Sequence, residues 1–428
     1  MMKKRIYMMI VLLGMAGLAH AQESLINATS VAHKQALTLQ QCIDLATKQS
    51  YTMQAAEKSI ERAKVMQGTA WDVDKTDLTL SQDPTSGGSP DNSISLSQTI
   101  EFPTVYVARR QQLKAETQAE RSKMGVQKKA LIGEVSSLYY QLVYEYQRVK
   151  ILAQQDSILN LSKLITEKRY QAGETRKLDV LSAEKVWKEN LLELATAKSE
   201  AENVRVQLAK AINWGADDSQ KNANFDIVQT DLSPIDYTQA PYSYQQTVEG
   251  AYAQDRLSVA DKALKVAKNG YAPSLSLSLR NQLVLTSWDP YNQNRTKFDG
   301  GNFMGFEVGV GIPLFYGATK AKVKAAKKER EQTELEIKAE AQAKETEYQT
   351  AMSLCNANLA RLTYYQQEGD KRAEELSQLG TLEYQNGEIS YIEYVNVLQE
   401  SIDIKMNHAN AINDYNQSVI ALKQLTGM

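Results

Sequence analysis

Two short strings set the plan of this 428-residue chain: Tyr170-Gln171-Ala172-Gly173-Glu174 and, 214 residues later, Tyr384-Gln385-Asn386-Gly387-Glu388. Around each string the same order of patterns recurs: helix, pair of strands, long helix, tight turn, helix. A repeat of this kind marks a tandem duplication and outranks any single motif as evidence of architecture. The prolines obey the same plan. Pro84, Pro90 and Pro103 come early, Pro234, Pro241, Pro273, Pro290 and Pro313 come in the middle, and none falls between 104 and 233 or after 313. Two long spans therefore lack the strongest helix breaker, and both are rich in the better helix formers Ala, Glu, Lys, Gln and Leu. Length alone would suggest two or three globules; the duplication replaces that count with two copies of one elongated unit.

Residues 1–21 read as a secretory signal. Lys3, Lys4 and Arg5 form its basic start, Ile6 to Leu18 its apolar run, and Ala19-His20-Ala21 its cleavage site, so the mature chain would begin at Gln22. The apolar run is shorter than the ~20 residues of a spanning helix, and no later segment reaches that length. Composition excludes other classes. With 43% hydrophobic residues and a net charge of −2, disorder is disfavoured. A slightly acidic balance argues against nucleic-acid binding. Two cysteines, Cys42 and Cys355, cannot make a disulfide scaffold; they read as buried structural thiols in preference to a bridge.

The first repeat, 22–215, begins with a helical pattern from Thr38 to Ala70. The period then changes to two, with a hairpin expected over 75–101: Leu78 and Leu80, then Ile94, Leu96 and Ile100, alternate with small polar residues. A long helix is expected over 104–170, with Leu131, Val135, Leu138, Leu142, Tyr146, Val149 and Leu152 on a coiled-coil seam. A tip at 171–176 and a helix at 177–213 complete the unit. Residues 216–243 read as a connector. The second repeat, 244–428, follows with a helix to about 270, a hairpin over 273–312, a long helix over 317–384, a tip at 385–390 and a helix at 391–425. The apolar frame of that last helix is interrupted by Lys405 and Asn416.

Lengths suggest a tube. Residues 104–170 would span about 100 Å at ~1.5 Å per residue, and the two shorter helices of the repeat together match that length. Each strand has the size of a tilted membrane strand of ~9–11 residues, with an apolar face for lipid and a small polar face for a water-filled lumen. Trp71, Phe102, Tyr271, Trp288, Tyr291 and Phe303 stand near the strand ends, where interfacial aromatics belong. Four strands cannot close a barrel, and open edges do not occur in lipid; three chains would supply twelve. A soluble sandwich with its apolar face inward satisfies the same alternation. The segment 317–350 is poor in large aliphatics and suits either a tube wall or a solvated coiled coil.

This plan resembles the TolC-like outer membrane efflux proteins. The text that carries the resemblance is LTLQQCIDLA at 37–46, YAPSLSLSL at 271–279, VGVGIPLFYG at 308–317 and the paired Tyr-x-x-Gly-Glu turns. It implies a mainly α protein with a small β part: a long α-helical barrel of coiled-coil hairpins joined to a transmembrane β-barrel of four strands per protomer. It implies a homotrimer in outer membrane lipid, reaching into the periplasm to a periplasmic adaptor (a membrane fusion protein) and an inner-membrane pump. By position, the adaptor-docking tips fall on Gly173, Glu174 and Thr175 and on Gly387, Glu388, Ile389 and Ser390. The aperture acids fall on Asp179 and Glu393, with Tyr384 matching; a further acid of the family's pattern is Asn396 here, and a basic partner is Ile389. The stretch 387–425 looks most like ducts of heavy-metal resistance pumps. The mature chain offers only His33 and His408 and no metal-ligand cluster, so no metal or other cofactor is expected. No nucleophile–base pair or phosphate loop appears, and the expectation is a passive export duct and not an enzyme. A periplasmic coiled-coil protein and a general porin are the alternatives.

Overall fold

The computed structural model describes residues 35–84, 90–215, 225–239, 241–284 and 302–427. The signal segment 1–21, His33, Trp288 and Tyr291 lie outside the described residues. In chain order the elements are β1 (Gln35–Leu37), α1 (Leu39–Gln49), α2 (Tyr51–Met66), β2 (Asp77–Pro84), β3 (Pro90–Glu101), α3 (Pro103–Gln171) and α4 (Lys177–Ala211). They continue with β4 (Phe225–Ile227), α5 (Val248–Asn269), β5 (Ser274–Val284), β6 (Asn302–Gly311), α6 (Gly317–Tyr364), α7 (Asp370–Asn386) and α8 (Tyr391–Thr426). No described helix is long and apolar enough to cross a membrane.

The helix expected over Thr38–Ala70 is not continuous. Thr38 opens α1 with a reciprocal cap: its hydroxyl accepts from the Gln41 N–H at 3.3 Å, while its own N–H donates to Gln41 Oε1 at 2.9 Å. The chain then turns at Ser50, whose ψ of 129° ends α1 and starts α2. The Gln49 carbonyl released by this break is bound by Asn213 Nδ2 at 2.8 Å. A second difference concerns the helix expected over 317–384. It carries one π turn, Tyr365–Gly369, between α6 and α7, and the helix ends at Asn386. By contrast α3 runs unbroken for 69 residues, about 100 Å, with Pro103 in its first turn, where a missing N–H costs nothing.

Helix α3 is the spine. It packs against α1, α2, α4, α5 and α8, while α6 packs on α5 and α8. The largest apolar cluster gathers Cys42, Ala46 and Met53 around Leu131, Val135, Tyr139 and Leu142 of α3, with Leu208, Ile212, Phe225 and Ile227. The connector contributes to it, because β4 pairs in parallel with β1 (Ala36 opposite Asp226). A second cluster joins Cys355 and Leu362 to Ile412, Tyr415, Val419 and Leu422 of α8. Cys42 and Cys355 are buried, unpaired and in different clusters; burial pushes the Cys42 thiol up to about 11.

Strands β2, β3, β5 and β6 form one antiparallel sheet in that order. Its register puts Leu78, Leu96, Leu279 and Phe306 abreast, and next to them Thr79, Ser95, Arg280 and Gly305. The apolar face is open to the surroundings, with Leu80 at 72%, Met304 at 80% and Phe306 at 78% exposure. No helix covers it. The sheet therefore lacks the buried face that a soluble sandwich requires.

Candidate functional site

At the end of the molecule away from the sheet, each long helix stops in the same way. Gly173 and Gly387 have φ of +78° and +79°, the left-handed region that a side chain strains. The Gly173 N–H donates to the Tyr170 carbonyl at 3.0 Å and the Glu174 N–H to the Arg169 carbonyl at 2.8 Å. In the second repeat the Gly387 N–H reaches Tyr384 at 3.2 Å and the Glu388 N–H reaches Glu383 at 2.9 Å. This pair of bonds is the glycine-ended helix stop that closes the last carbonyls of a helix. It leaves Gly173, Glu174, Gly387, Glu388 and Ser390 exposed, with Thr175 and Ile389 half-buried.

The following helices are capped by the two candidate aperture acids, which are themselves 214 residues apart. Asp179 Oδ2 accepts from the Thr175 hydroxyl at 2.7 Å and from the Arg176 N–H at 3.2 Å, with the Arg176 guanidinium 3.7 Å away. The Thr175 hydrogen bond, reinforced by Arg176, holds its carboxyl below the usual carboxylate range. Glu393 Oε2 accepts from the Ser390 N–H at 2.8 Å, and Ser390 Oγ accepts from the Glu393 N–H at 3.3 Å. That backbone bond likewise lowers the Glu393 carboxyl. Asp179 is buried within the protomer, whereas Glu393 and Asn396 are exposed. Each acid at this third helical position serves its own helix start.

The two tips touch. Tyr384 is buried beneath a set of rings, stacked on Tyr394 at 4.5 Å and edge-on to Tyr391 at 6.0 Å. From the first hairpin Arg169 covers the same ring at 4.8 Å, and the Tyr384 hydroxyl lies 3.3 Å from Thr166 Oγ1. Ala183 and Ile165 pack against this cluster with Ile389. Burial pushes the Tyr391 hydroxyl up to about 12. The first tip lacks this lock: the repeat partner of Tyr384 is Tyr170, which is 42% exposed with Lys177 over its ring at 5.3 Å. Arg169, Thr166, Tyr391 and Tyr394 escaped the sequence reading. The signal available for two of them was the spacing Tyr391-x-x-Tyr394, which sets both rings on the face that returns toward Tyr384.

The sheet end has its own aromatic girdle. Trp71 stacks on Tyr106 at 5.1 Å, and Tyr271 leans on Tyr316 at 5.8 Å. His408 Nδ1 lies 2.7 Å from Asp370 Oδ1, beside the π turn and remote from the tips.

Comparison with known proteins agrees with this geometry. A family model described as "Outer membrane efflux protein" matches residues 42–214 and again 251–428, one match in each repeat. Among solved structures, the Campylobacter jejuni CmeC outer membrane channel superposes with a TM-score of 0.71 at 17% identity, covering 91% of this chain and 85% of that one. The open state of the Neisseria gonorrhoeae MtrE outer membrane channel gives 0.71 at 16% identity, with 93% of each chain covered. CusC, described in connection with folding and transmembrane channel formation, gives 0.74 at 15% identity, covering 92% of this chain and 93% of that one. Among curated proteins no match is found.

Proposed function

The chain belongs to the outer membrane efflux protein family, and on that premise we propose that three copies close into one passive duct with a gated periplasmic end. Family members are bacterial outer membrane channels, and the chain is an exit duct of a tripartite efflux system. One observation carries the trimer: a four-stranded sheet with an exposed apolar face and two outer edges, β2 and β6, each paired on one side among the described residues. Lipid admits no unpaired edge. Joining β6 of one copy to β2 of the next closes twelve strands in a three-fold ring.

The helical ends support the same closure. Leu178, Leu181 and Leu192 on α4, and Leu379 and Leu382 on α7, are more than half exposed in the protomer. A ring of copies removes such surfaces from water.

At the periplasmic end, Gly173, Glu174, Thr175, Gly387, Glu388, Ile389 and Ser390 form the surface for the periplasmic adaptor and its inner-membrane pump. Asp179, Tyr384, Glu393 and Asn396 shape the aperture. Repetition around a three-fold axis turns the acids into a ring, where charge sets cation selectivity, and the caps keep Asp179 and Glu393 ionised. Export would remove residues 1–21 and leave Gln22 as the first residue. No chemistry is assigned to the protein itself: direction and energy come from its partners.

The aperture reading is tested in planar bilayers. Asp179→Ala combined with Glu393→Ala should raise single-channel conductance and weaken block by cations. Conductance equal to that of the unsubstituted protein removes these residues from the aperture. Recovery of the protein in the soluble periplasm after cell breakage would overturn the duct itself.

A further inference from the structure

A one-sided charge gathers where the sheet hands over to the helices. Helix α5 approaches β5 through Lys262, Lys265 and Lys268, and α6 leaves β6 through Lys320, Lys322, Lys324, Lys327 and Lys328, with no acid from 262 to 269 or from 317 to 328. Lys327 and Lys328 lean on Glu331. Lys265, Lys268, Lys320, Lys322 and Lys324 have no carboxylate partner among the described residues, although counter-ions are plentiful one turn further along α6. The first repeat places Arg110 and Lys114 at the positions matching Lys324 and Lys328.

These cations border built grooves. One, of about 420 Å³, runs between the start of α3 and the end of α5; Pro103, Val107 and Ala108 line one wall and Lys265 and Lys268 the other. Its neighbour, about 560 Å³, carries Lys322 and the Arg109–Glu101 ion pair (2.9 Å) beside Val266, Ile312 and Pro313. The second groove ends at Ile312, which begins an exposed apolar run with Leu314 and Phe315, the last 93% exposed. Apolar wall, uncompensated ammonium groups and aromatic girdle meet within one band, which is the sequence of environments across a membrane–water border.

We propose that this band is a binding site for anionic glycerophospholipid, with the phosphate between Lys265 and Lys268 and the glycerol end against Pro103 and Val107. The proposal rests on the reading of the sheet as membrane-spanning. It commits to lipid because both grooves pair an apolar wall with cations; a purely anionic partner in water would leave that wall unused.

Native mass spectrometry of the full detergent-solubilised assembly tests it, with phosphatidylglycerol and phosphatidylcholine of identical chains titrated separately. The unsubstituted protein should retain phosphatidylglycerol preferentially. Lys265→Gln with Lys268→Gln should cut that preference about fivefold per lysine, the equivalent of ~1 kcal/mol each. Lys338→Gln with Lys344→Gln, on the neighbouring α6 and paired with Glu334 and Glu347, should leave it unchanged. An undiminished preference in the first variant overturns the site. Dissociation of the assembly in that variant overturns it too, by assigning the face to a second copy. Retention of peptidoglycan fragments in place of lipid would do the same. If the unsubstituted protein holds neither lipid and fails to enter vesicles, the membrane reading fails as well, which separates the two failures.

Discussion

Gly173 and Gly387 sit at the ends of two different helices with φ values one degree apart, +78° and +79°, and the residues around them divide the same work. The acid six positions after each glycine satisfies the backbone of the helix start. For Asp179 this has a pH consequence. Its carboxyl is lowered in the folded tip by Thr175 and Arg176, so its contribution is complete above the unfolded value of about 3.9 and is lost as pH falls through the lower folded value. The first tip should therefore keep its cap at pH 5 and release it only in strong acid. Hydrogen exchange at the Arg176 amide, corrected for its intrinsic pH dependence, reads this directly, and Asp179→Asn should erase the step. The tip glycines were legible because repeat spacing locates the turns; the two acids came from the family resemblance, as aperture residues, and their capping of the helix starts appears only in the structure. The burial of Asp179 against the exposure of Glu393 was not legible either, since it depends on neighbours from the packed hairpins.

Among elements, α8 shows how a local irregularity records a distant contact. Its apolar frame breaks at Asn416, an amide with 0% exposure. The side chain clamps the connector: Asn416 Nδ2 donates to the Ser233 carbonyl at 2.9 Å, and Oδ1 accepts from the Ile235 N–H at 2.8 Å. Replacing it with Ala strands both backbone groups, at a cost of about 2–4 kcal/mol. Chemical denaturation of Asn416→Ala should show that loss, and protease cleavage between 228 and 239 should appear before global unfolding; unchanged stability would refute the clamp. The other interruption, Lys405, reaches Glu374 at 3.9 Å across the hairpin, a pair exposed enough to contribute little. Helix interruptions were less legible. The bend at Ser50 leaves no proline or glycine in the text; it is held by a hydrogen bond from Asn213, 163 positions later. The π turn similarly places Tyr365 against the ring of His408 at 6.1 Å, a contact that no local pattern announces.

Over the whole molecule, the decisive feature is a sheet that is complete in neither direction. With strands ~4.8 Å apart, β2 and β6 lie too far from each other within one copy for a disulfide. Cysteine pairs scanned along the two edges, one on β2 and one on β6 because barrel closure staggers the register, should therefore yield at the matching register, on mild oxidation, covalent dimers and trimers and no bridge within a protomer; the buried Cys42 and Cys355 stay out of the reaction. Exclusively monomeric product would show that the edges do not meet between copies. The order β2-β3-β5-β6 explains why both repeats are needed. Each supplies one hairpin, and β3 pairs with β5 across the duplication (Leu96 opposite Leu279).

The sequence by itself determined the repeat, the strand pairs, the proline-free long helices and the glycine turns. These follow from properties that act within a few residues: the period of the apolar pattern, the φ restriction of proline and the freedom of glycine. Tertiary structure alone decided the rest. It set the kink at Ser50, the π turn, the pairing of β1 with β4, the Arg169–Tyr384–Tyr394 stack that locks the two tips together, and the grooves beneath the basic band. Each of these depends on groups more than a hundred residues apart, or on opposite sides of a long hairpin, being brought to within a few ångströms. A one-dimensional pattern carries no distance of that kind.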